Sequence, residues 1–213
     1  MGQQSGKRLS RKERERREHR RLILEAAEEL FARKGFHATS VQEIADEAEF
    51  SVGSLYNLFE SKERLYHELI EMRADQYLRK LDQRLDEADG PVDKVRAAVR
   101  CKLDFFEEHR QFFHIFGNFV SGAESASPPM LSKRCLEIHG RIHRQLESVF
   151  EAGIREGIFA DIDPVLAVLV LEGTTNAIIG EWIHTGARAL ESINPGTVEQ
   201  ILFHGLLDGT ANE

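Results

Sequence analysis

Cysteine and proline are scarce in this sequence. Two cysteines and five prolines occur among 213 residues, and 41% of the residues are hydrophobic, a composition typical of a globular chain. Cys101 and Cys135 lie far apart within helical patterns, so they make neither a disulfide framework nor a zinc-binding pair. We therefore expect two buried, reduced thiols.

Long hydrophobic runs are also missing. The longest fully apolar run, residues 165–171, has Asp163 before it and Glu172 after it, and it is far shorter than the roughly 20 residues that a membrane span needs. The first 21 residues contain no apolar segment, which a secretory signal of the usual design requires. We therefore expect a cytoplasmic protein with no membrane partner.

The net charge of −8 is distributed unevenly along the chain. Residues 1–21 hold nine Lys and Arg against three Glu, whereas the other 192 residues hold 19 Lys and Arg against 33 Asp and Glu. This asymmetry predicts a flexible basic arm over residues 1–17, suited to an anionic partner and attached to an acidic body. A disordered solubilising tail would show the same asymmetry.

The hydrophobic pattern is helical almost throughout, with no sustained alternation and no repeat of fixed length, so the predicted fold class is all-α with about nine helices. The first helix ends at Gly35. Ser40, Ser51 and Ser61 are N-caps of the next three helices, and Ser40 forms a capping box with Glu43. Three short helices with a tight turn between the last two are typical of a helix-turn-helix.

This pattern divides the chain into two domains. Residues 18–60 form the predicted helix-turn-helix domain, and residues 61–213 form a larger helical body. A turn at residues 88–91 starts one helix of the body, and residues 121–129 read as its one long loop. Asp163 and Pro164 cap and begin a further helix, and residues 194–196 start the last one.

Residues 22–66 resemble the DNA-binding domain of the tetracycline-repressor (TetR) family of bacterial transcription regulators. The residues that carry the resemblance are Ala26, Ala27, Leu30, Phe31, Gly35, Phe36, Thr39, Ser40, Ile44, Ala45, Ala48, Ser51, Val52, Gly53, Leu55, Tyr56, Phe59, Ser61, Lys62 and Glu63. The resemblance implies a bacterial, cytoplasmic regulator that sits on the nucleoid when it is bound to a double-stranded DNA operator. For the rest of the chain, only the helical architecture supports the likeness.

Gly53 is an unexpected residue for a very short helix, because an interior glycine costs roughly 1 kcal/mol relative to alanine. In a helix-turn-helix the second helix enters the major groove by its N-terminal end, where a missing side chain permits close approach to DNA. Hydroxyl, phenol and amide groups nearby suit phosphate or base-edge contacts. The expected DNA-binding residues are Thr39, Ser40, Ser51, Val52, Gly53, Ser54, Tyr56, Asn57 and Lys62. A helical hairpin with ordinary serine caps would explain the serines alone.

Two features depart from the family pattern. Family members often have Gly-Val where this chain has Glu49 and Phe50. The predicted second helix is also acidic, with Glu43, Asp46, Glu47 and Glu49. These carboxylates must face away from the phosphates, because they would otherwise repel the DNA.

The resemblance implies that the body binds a small-molecule effector and forms a homodimer. Small and apolar residues allow close helix approach, and the expected dimer residues are Val170, Gly173, Ala177, Gly180, Ile201 and Leu202. The apolar run 165–171 predicts burial on every side. Phenylalanines with a few polar groups could line a ligand pocket or form plain core, and the candidate ligand residues are Phe112, Phe116, Asn118, His139, His143, Glu172 and Asn176.

Other functions have weaker support in the sequence. His139 and His143 stand four residues apart, a spacing that can bind zinc, but the sequence shows no third ligand, so we predict no metal site and no cofactor. No catalytic motif is present, which argues against an enzyme. The leading hypothesis is a homodimeric, ligand-responsive repressor of a near-palindromic operator. The alternative is a DNA-anchored adaptor that recruits a protein and senses no ligand; closed packing around residues 112–119 would favour it.

Overall fold

The computed structural model describes residues 10–121 and 131–185, without the side chains of residues 116–121, 184 and 185. These residues form eight α-helices and no β-strand, which confirms the all-α prediction. The helices are α1 (Arg11–Lys34), α2 (Val41–Glu47), α3 (Val52–Tyr56), α4 (Lys62–Asp86), α5 (Gly90–Glu108), α6 (Arg110–Ser121), α7 (Lys133–Arg155) and α8 (Pro164–Thr185). The helix expected after residue 194 lies outside the described residues, as does most of the expected loop.

Helix α1 begins earlier than the sequence suggested. Ser10 caps it with a capping box, since its hydroxyl accepts from the Glu13 backbone N–H and the Glu13 carboxylate accepts from the Ser10 N–H. Residues 11–17, which were expected to belong to a flexible arm, are therefore helical and exposed. The helix ends where expected, because Gly35 adopts a φ of 79°, which glycine tolerates without strain.

The helix-turn-helix region has an apolar core that it shares with the body, since Phe105, Phe112, Ile115 and Cys135 belong to the same cluster. Side chains of α1, α2, α3 and α4 meet there and are almost fully buried, among them Ile23, Leu30, Ile44, Leu55 and Leu69. Of the apolar face expected for α1, only Leu22 is exposed. The serine caps of α2, α3 and α4 are all present, which confirms the predicted starts of these helices.

Helix α3 has only five residues and ends at Tyr56. Asn57 caps it, and Phe59 then turns into the core, where 1% of its surface is exposed. Burial of Phe59 explains the early end, because its side chain is needed inside rather than on the helical path. The turn before α3 places Glu49 at a φ of 60°, a left-handed conformation that favours glycine.

Helix α4 connects this region to the body. It has 25 residues, or about 37 Å at 1.5 Å per residue, and its second half packs against α5 and α7. The core of the body is formed by α4, α5, α7 and α8, with Leu81, Val95, Phe106, Phe150 and Val168 among its buried residues. Both cysteines are free and buried, and burial raises the pKa of the Cys101 thiol to about 11.

Helix α8 corrects one expectation, that of burial on every side. Ala167, Val168 and Leu171 are buried, but Val165, Leu166, Leu169 and Val170 are 47–55% exposed, so the run 165–171 is buried on one face only within a single chain. By length and composition the stretch Pro164–Ile183 is also apolar enough to span a membrane. Its inner face packs into the body core, and Glu172 in its middle hydrogen-bonds His143, as in an interior helix of a soluble protein.

Candidate nucleic-acid interface and effector cavity

Helix α3 presents a small set of exposed polar groups. Ser51, Gly53, Tyr56 and Asn57 are exposed, with 52% of the Tyr56 surface accessible, and Val52 and Ser54 are half-buried. Leu55 and Phe59 hold the helix on the core from behind. The six expected α3 residues from Ser51 to Asn57 therefore lie together on and around one short helix.

Nothing inside the chain requires a glycine at position 53. A Cβ added there would meet only the Ser51 Oγ, at 4.0 Å, and the φ of Gly53 is not in the left-handed region. The fold therefore leaves room for a side chain at position 53, and the glycine there weakens the helix. This favours a reason outside the chain, namely the close approach of a binding partner.

The serine hydroxyls of this region have structural roles. The Ser51 Oγ accepts from the Ser54 N–H at 3.1 Å and lies 2.8 Å from the Ser54 Oγ. The Ser40 Oγ accepts from the Glu43 N–H at 3.2 Å and donates to the Glu43 carboxylate at 3.0 Å. Capping thus explains these serines, and any contact with DNA would come in addition to it.

Two residues expected to contact phosphates have internal partners instead. Thr39 is 1% exposed, and its hydroxyl donates to the Gly35 carbonyl at 2.8 Å. The Lys62 ammonium donates to the carbonyls of Phe36 and Thr39 at 2.8 and 2.9 Å and lies over the Phe36 ring. Thr39 thus fixes the α1–α2 turn to the end of α1, and Lys62 holds the same turn against the start of α4. The Thr39 hydroxyl therefore points inward and is not available to DNA, and the Lys62 ammonium is hydrogen-bonded within the fold.

Glu43 and Glu47 of α2 lie beside α1, whereas Asp46 accepts a hydrogen bond from Gln42 of α2 itself. Glu43 pairs with Lys34, and this contact, with the N–H and hydroxyl of Ser40, lowers the Glu43 pKa to about 2. Glu47 and Glu49 line a groove of about 530 Å³ with three glutamates of α1 and with residues of α4 and α6. The second half of α2 therefore directs its negative charge toward this groove.

The body contains a mainly apolar cavity of about 240 Å³ between α4, α5, α6, α7 and α8. Of the expected ligand residues, Phe112, His139, Glu172 and Asn176 line it. His143 stands behind the wall and bonds Glu172, whereas the side chains of Phe116 and Asn118 lie outside the described residues. The remaining wall is formed by Ile70, Arg73, Ala74, Tyr77, Lys102, Phe105, Phe113, Cys135, Ile138 and Ile142.

Lys102 is the most informative wall residue, and the sequence analysis missed it. Desolvation lowers the pKa of its ammonium group to about 8, and the nearby Glu172 carboxylate partly opposes that shift. Burial likewise raises the pKa of the Tyr77 phenol on the opposite wall. Lys102 follows Val95 and Val99 at helical spacing on the apolar face of α5, so a charged residue on that face was the signal available in the sequence.

One wall residue connects the cavity to the helix-turn-helix. Arg73 of α4 lines the cavity, and its guanidinium forms a buried ion pair with Glu28 of α1. The Arg73 Nη1 also donates to the Gln76 side chain at 2.8 Å. A change in the position of α4 at the cavity would therefore act directly on α1.

A cluster of potential metal ligands lies at one side of the cavity. The ring centroids of His139 and His143 are 4.2 Å apart, and the Glu172 Oε2 lies 2.9 Å from the His143 Nε2. Burial and the His143 ring lower the pKa of His139. The sequence argued against a metal because the histidine pair lacked a third ligand; α8 supplies one in Glu172.

The residues expected at a dimer interface lie along α8. Val170, Gly173 and Ala177 are exposed and follow one another at helical spacing, and Gly180 is half-buried. Ile201 and Leu202 lie outside the described residues. Together with Val165, Leu166 and Leu169, the exposed residues make a continuous apolar stripe, which we call the α8 stripe.

Two family models match the sequence. Residues 23–69 match the model described as bacterial regulatory proteins, tetR family. Residues 88–194 match the model of a tetracyclin repressor-like C-terminal domain. The first match covers the helix-turn-helix, and the second covers most of the chain after α4.

Similar proteins are bacterial transcription regulators. The uncharacterised HTH-type regulator YhgD of Bacillus subtilis is 28% identical over 169 residues, covering 78% of this chain and 84% of YhgD. The repressor KstR2 of Mycobacterium tuberculosis is 29% identical over 166 residues, covering 77% of this chain and 80% of KstR2.

Solved structures share the fold. The ketosteroid regulator KstR2 of Mycobacterium tuberculosis superposes with a TM-score of 0.70 at 24% identity, over 89% of this chain and 95% of that one. FadR of Bacillus subtilis in complex with stearoyl-CoA superposes with a TM-score of 0.71 at 19% identity, over 89% of this chain and 98% of that one. AibR in complex with isovaleryl coenzyme A and operator DNA superposes with a TM-score of 0.67 at 19% identity, over 87% of this chain and 97% of that one.

Proposed function

Because this chain belongs to the tetR family of bacterial regulatory proteins and is therefore a DNA-binding transcription regulator, we propose that it is a homodimeric repressor of a near-palindromic operator. A small amphipathic effector entering the body cavity releases it from DNA. The protein acts in the bacterial cytoplasm, on the nucleoid. The observation that carries the DNA-binding part is Gly53, exposed on α3 with open space around it.

The proposed DNA contacts come from the exposed face of α3. Gly53 lets the backbone approach the duplex, the Tyr56 phenol and the Ser51 hydroxyl donate to phosphates, and the Asn57 amide suits an adenine edge. In a symmetric dimer two such helices would lie about 34 Å apart, or a multiple of that, which requires a near-palindromic operator. Thr39 and Lys62 support the α1–α2 turn rather than contact DNA.

The proposed effector is an amphipathic anion with a short acyl chain. The cavity is mainly apolar, and the Lys102 ammonium offers a cation inside it for a carboxylate or a thioester carbonyl. The relatives FadR and AibR hold stearoyl-CoA and isovaleryl coenzyme A, which are acyl chains joined to a polar, anionic carrier. The volume of 240 Å³ suits the acyl part rather than the whole thioester.

Helix α4 is the proposed link between cavity and DNA. Ile70, Arg73, Ala74 and Tyr77 of α4 form one wall, and the start of α4 is tied to the α1–α2 turn by Lys62. An effector that binds best when this wall moves outward would shift the population toward a conformation with displaced recognition helices. The Arg73–Glu28 ion pair carries the same displacement to α1.

Gly53→Ala tests the DNA-binding assignment by two effects of opposite sign. The free protein should become more stable by roughly 1 kcal/mol, because alanine favours a helix and the added methyl group has open space. Affinity for genomic fragments retained by the wild-type protein should fall at least tenfold, because the methyl group keeps α3 away from the duplex. Urea unfolding and a gel-shift titration measure the two effects.

Gly140→Ala is the matched control. Gly140 is also inside a helix, and an added Cβ would meet only the far end of the Arg144 side chain at 3.3 Å. It should leave DNA affinity unchanged. If Gly53→Ala binds DNA as tightly as the wild type, the assigned recognition surface is wrong.

Lys102→Met separates an effector sensor from a DNA-anchored adaptor. Repressor release by acyl-CoA thioesters of graded chain length should weaken at least tenfold in this variant, while DNA binding without effector stays unchanged. The open cavity favours the sensor, since an adaptor would need no such space. An adaptor would show no release by any chain length in the wild-type protein.

A further inference from the structure

Two histidines of α7 and one glutamate of α8 bring three potential metal ligands together. His139 and His143 lie one helical turn apart, with ring centroids separated by 4.2 Å. The Glu172 Oε2 reaches both rings, at 2.9 Å from the His143 Nε2 and 3.9 Å from the His139 Nε2. One ligand atom from each of the three residues lies within 4.8 Å of the other two.

These spacings suit a single small ion. Zinc binds imidazole nitrogen and carboxylate oxygen at about 2.0–2.2 Å, so ligand atoms around a tetrahedral ion lie roughly 3.4 Å apart. The His143–Glu172 distance is shorter than this value and the His139–Glu172 distance is longer, so small side-chain rotations in opposite directions bring both to it.

We propose that His139, His143 and Glu172 bind a divalent transition-metal ion, with zinc as the expected ion and one open coordination position facing the effector cavity. His139 and Glu172 belong to the cavity wall, whereas His143 stands behind it, so the free side of the ion points into the cavity. The His139 side chain is 56% exposed, which gives the metal a route from solvent. The open position would accept an oxygen or sulfur atom of a bound small molecule.

The ligand atoms of the cluster and the charged groups beside it bear on the kind of ion that can bind. Lys102 of α5 is a cation close enough to interact with both Glu172 and His139, and Tyr77 of α4 interacts with Glu172. Magnesium and calcium prefer six or more oxygen ligands, which this site does not offer. Imidazole nitrogens favour zinc, copper, nickel or iron, so a transition metal is the expected class.

The metal alone tests the proposal, without DNA or effector. Untagged, chelator-treated full-length protein should bind about one equivalent of Zn²⁺ in competition with a chromophoric chelator. Bound Co²⁺ should give the visible absorption of a low-coordinate site. His139→Ala and Glu172→Gln should each weaken Zn²⁺ binding at least tenfold and abolish that absorption. Zn²⁺ should also raise the melting temperature of the wild-type protein but not of the variants.

Cys135→Ser is the matched control, since Cys135 lies one turn before His139 on α7 and lines the same cavity. It should bind Zn²⁺ like the wild type. Circular dichroism checks that His139→Ala, which removes a mostly exposed side chain, stays folded. Well under one equivalent of bound Zn²⁺, wild-type affinity in His139→Ala, or loss of binding in Cys135→Ser would each overturn the assignment.

Discussion

Glu49 holds a backbone conformation that its side chain disfavours. Its φ of 60° lies in the left-handed region, which costs a non-glycine residue roughly 1–2 kcal/mol. The turn between α2 and α3 imposes this value, because the Phe50 N–H must reach the Ala45 carbonyl at 2.8 Å. The strain therefore lies in the turn that sets the angle of the recognition helix.

Glu49→Gly should stabilise the protein. Glycine relieves the left-handed strain, and part of that gain is offset by the larger freedom of the unfolded chain, about 0.4–1 kcal/mol. We expect a net increase of about 0.5–1 kcal/mol in the free energy of unfolding, measured by urea denaturation.

Glu47→Gly, in the last turn of α2, is the control for this prediction. It should destabilise the protein by roughly 1 kcal/mol, because it places a glycine in a helix with no strain to relieve. Equal destabilisation by Glu47→Gly and Glu49→Gly would mean that the turn is not strained.

Side chains whose partners are close in sequence were the predictable ones. Ser40, Ser51 and Ser61 cap helices through N–H groups three residues ahead, so a short window of sequence contains the whole interaction. Lys62 reaches carbonyls 23 and 26 residues away, and no local pattern distinguishes that role from a phosphate contact. The contact between Glu172 and His143, which are 29 residues apart, was hidden for the same reason.

At the scale of helices, the start of α4 is attached to the α1–α2 turn by a lysine side chain. The Lys62 ammonium bonds two carbonyls of that turn and lies 4.3 Å from the centroid of the Phe36 ring. Arg20 makes a second tie, since its guanidinium donates to the Leu58 carbonyl, pairs with Glu68 of α4 and covers the Phe59 ring. Two cations thus fix the helix-turn-helix to the helix that continues into the body.

Lys62→Met should weaken the attachment of α4 to the α1–α2 turn without changing the ionic contacts between the protein and DNA. We expect the free energy of unfolding to fall by about 1.5 kcal/mol, the lower end for hydrogen bonds to a charged group, because Lys62 is only half-buried. The slope of log DNA affinity against log salt should stay at its wild-type value. A direct phosphate contact would instead reduce that slope by about 0.9.

Lys94→Met on α5, in the body, controls for the loss of one positive charge. It should change neither stability nor the salt slope. A reduced slope in Lys62→Met alone would restore the original expectation that this lysine binds the operator.

At the scale of helices, the sequence predicted where the helices begin better than it predicted which of their faces are buried. Caps and prolines mark where α2, α3, α4 and α8 start, because those signals are local. The run 165–171 is apolar at every position, so periodicity could not say which side faces the body. Only the packing of Ala167, Val168 and Leu171 against the other helices divides α8 into an inner face and an outer one.

At the scale of the whole molecule, the α8 stripe is a long apolar surface that residues 10–121 and 131–185 of a single chain leave exposed. Val165, Leu166, Leu169 and Val170 expose about half of their surface each, and the small residues Gly173 and Ala177 continue the stripe. Contiguous exposed apolar side chains of this kind mark interaction surfaces. A two-fold axis beside α8 would cover the stripe with its own copy, which also provides the second recognition helix.

Leu166→Glu combined with Leu169→Glu should convert the dimer to a monomer, because two carboxylates per chain would be buried against their symmetry mates. Sedimentation velocity should show the mass halved, and operator affinity should fall toward the nonspecific level, on the order of 10³-fold. The control is Leu136→Glu on α7, where the leucine is 55% exposed, as is Leu166. It should leave a dimer with unchanged operator affinity. If the double variant stays dimeric, the two-fold axis lies elsewhere. The spacing of the two α3 helices, on which the operator symmetry depends, would then differ as well.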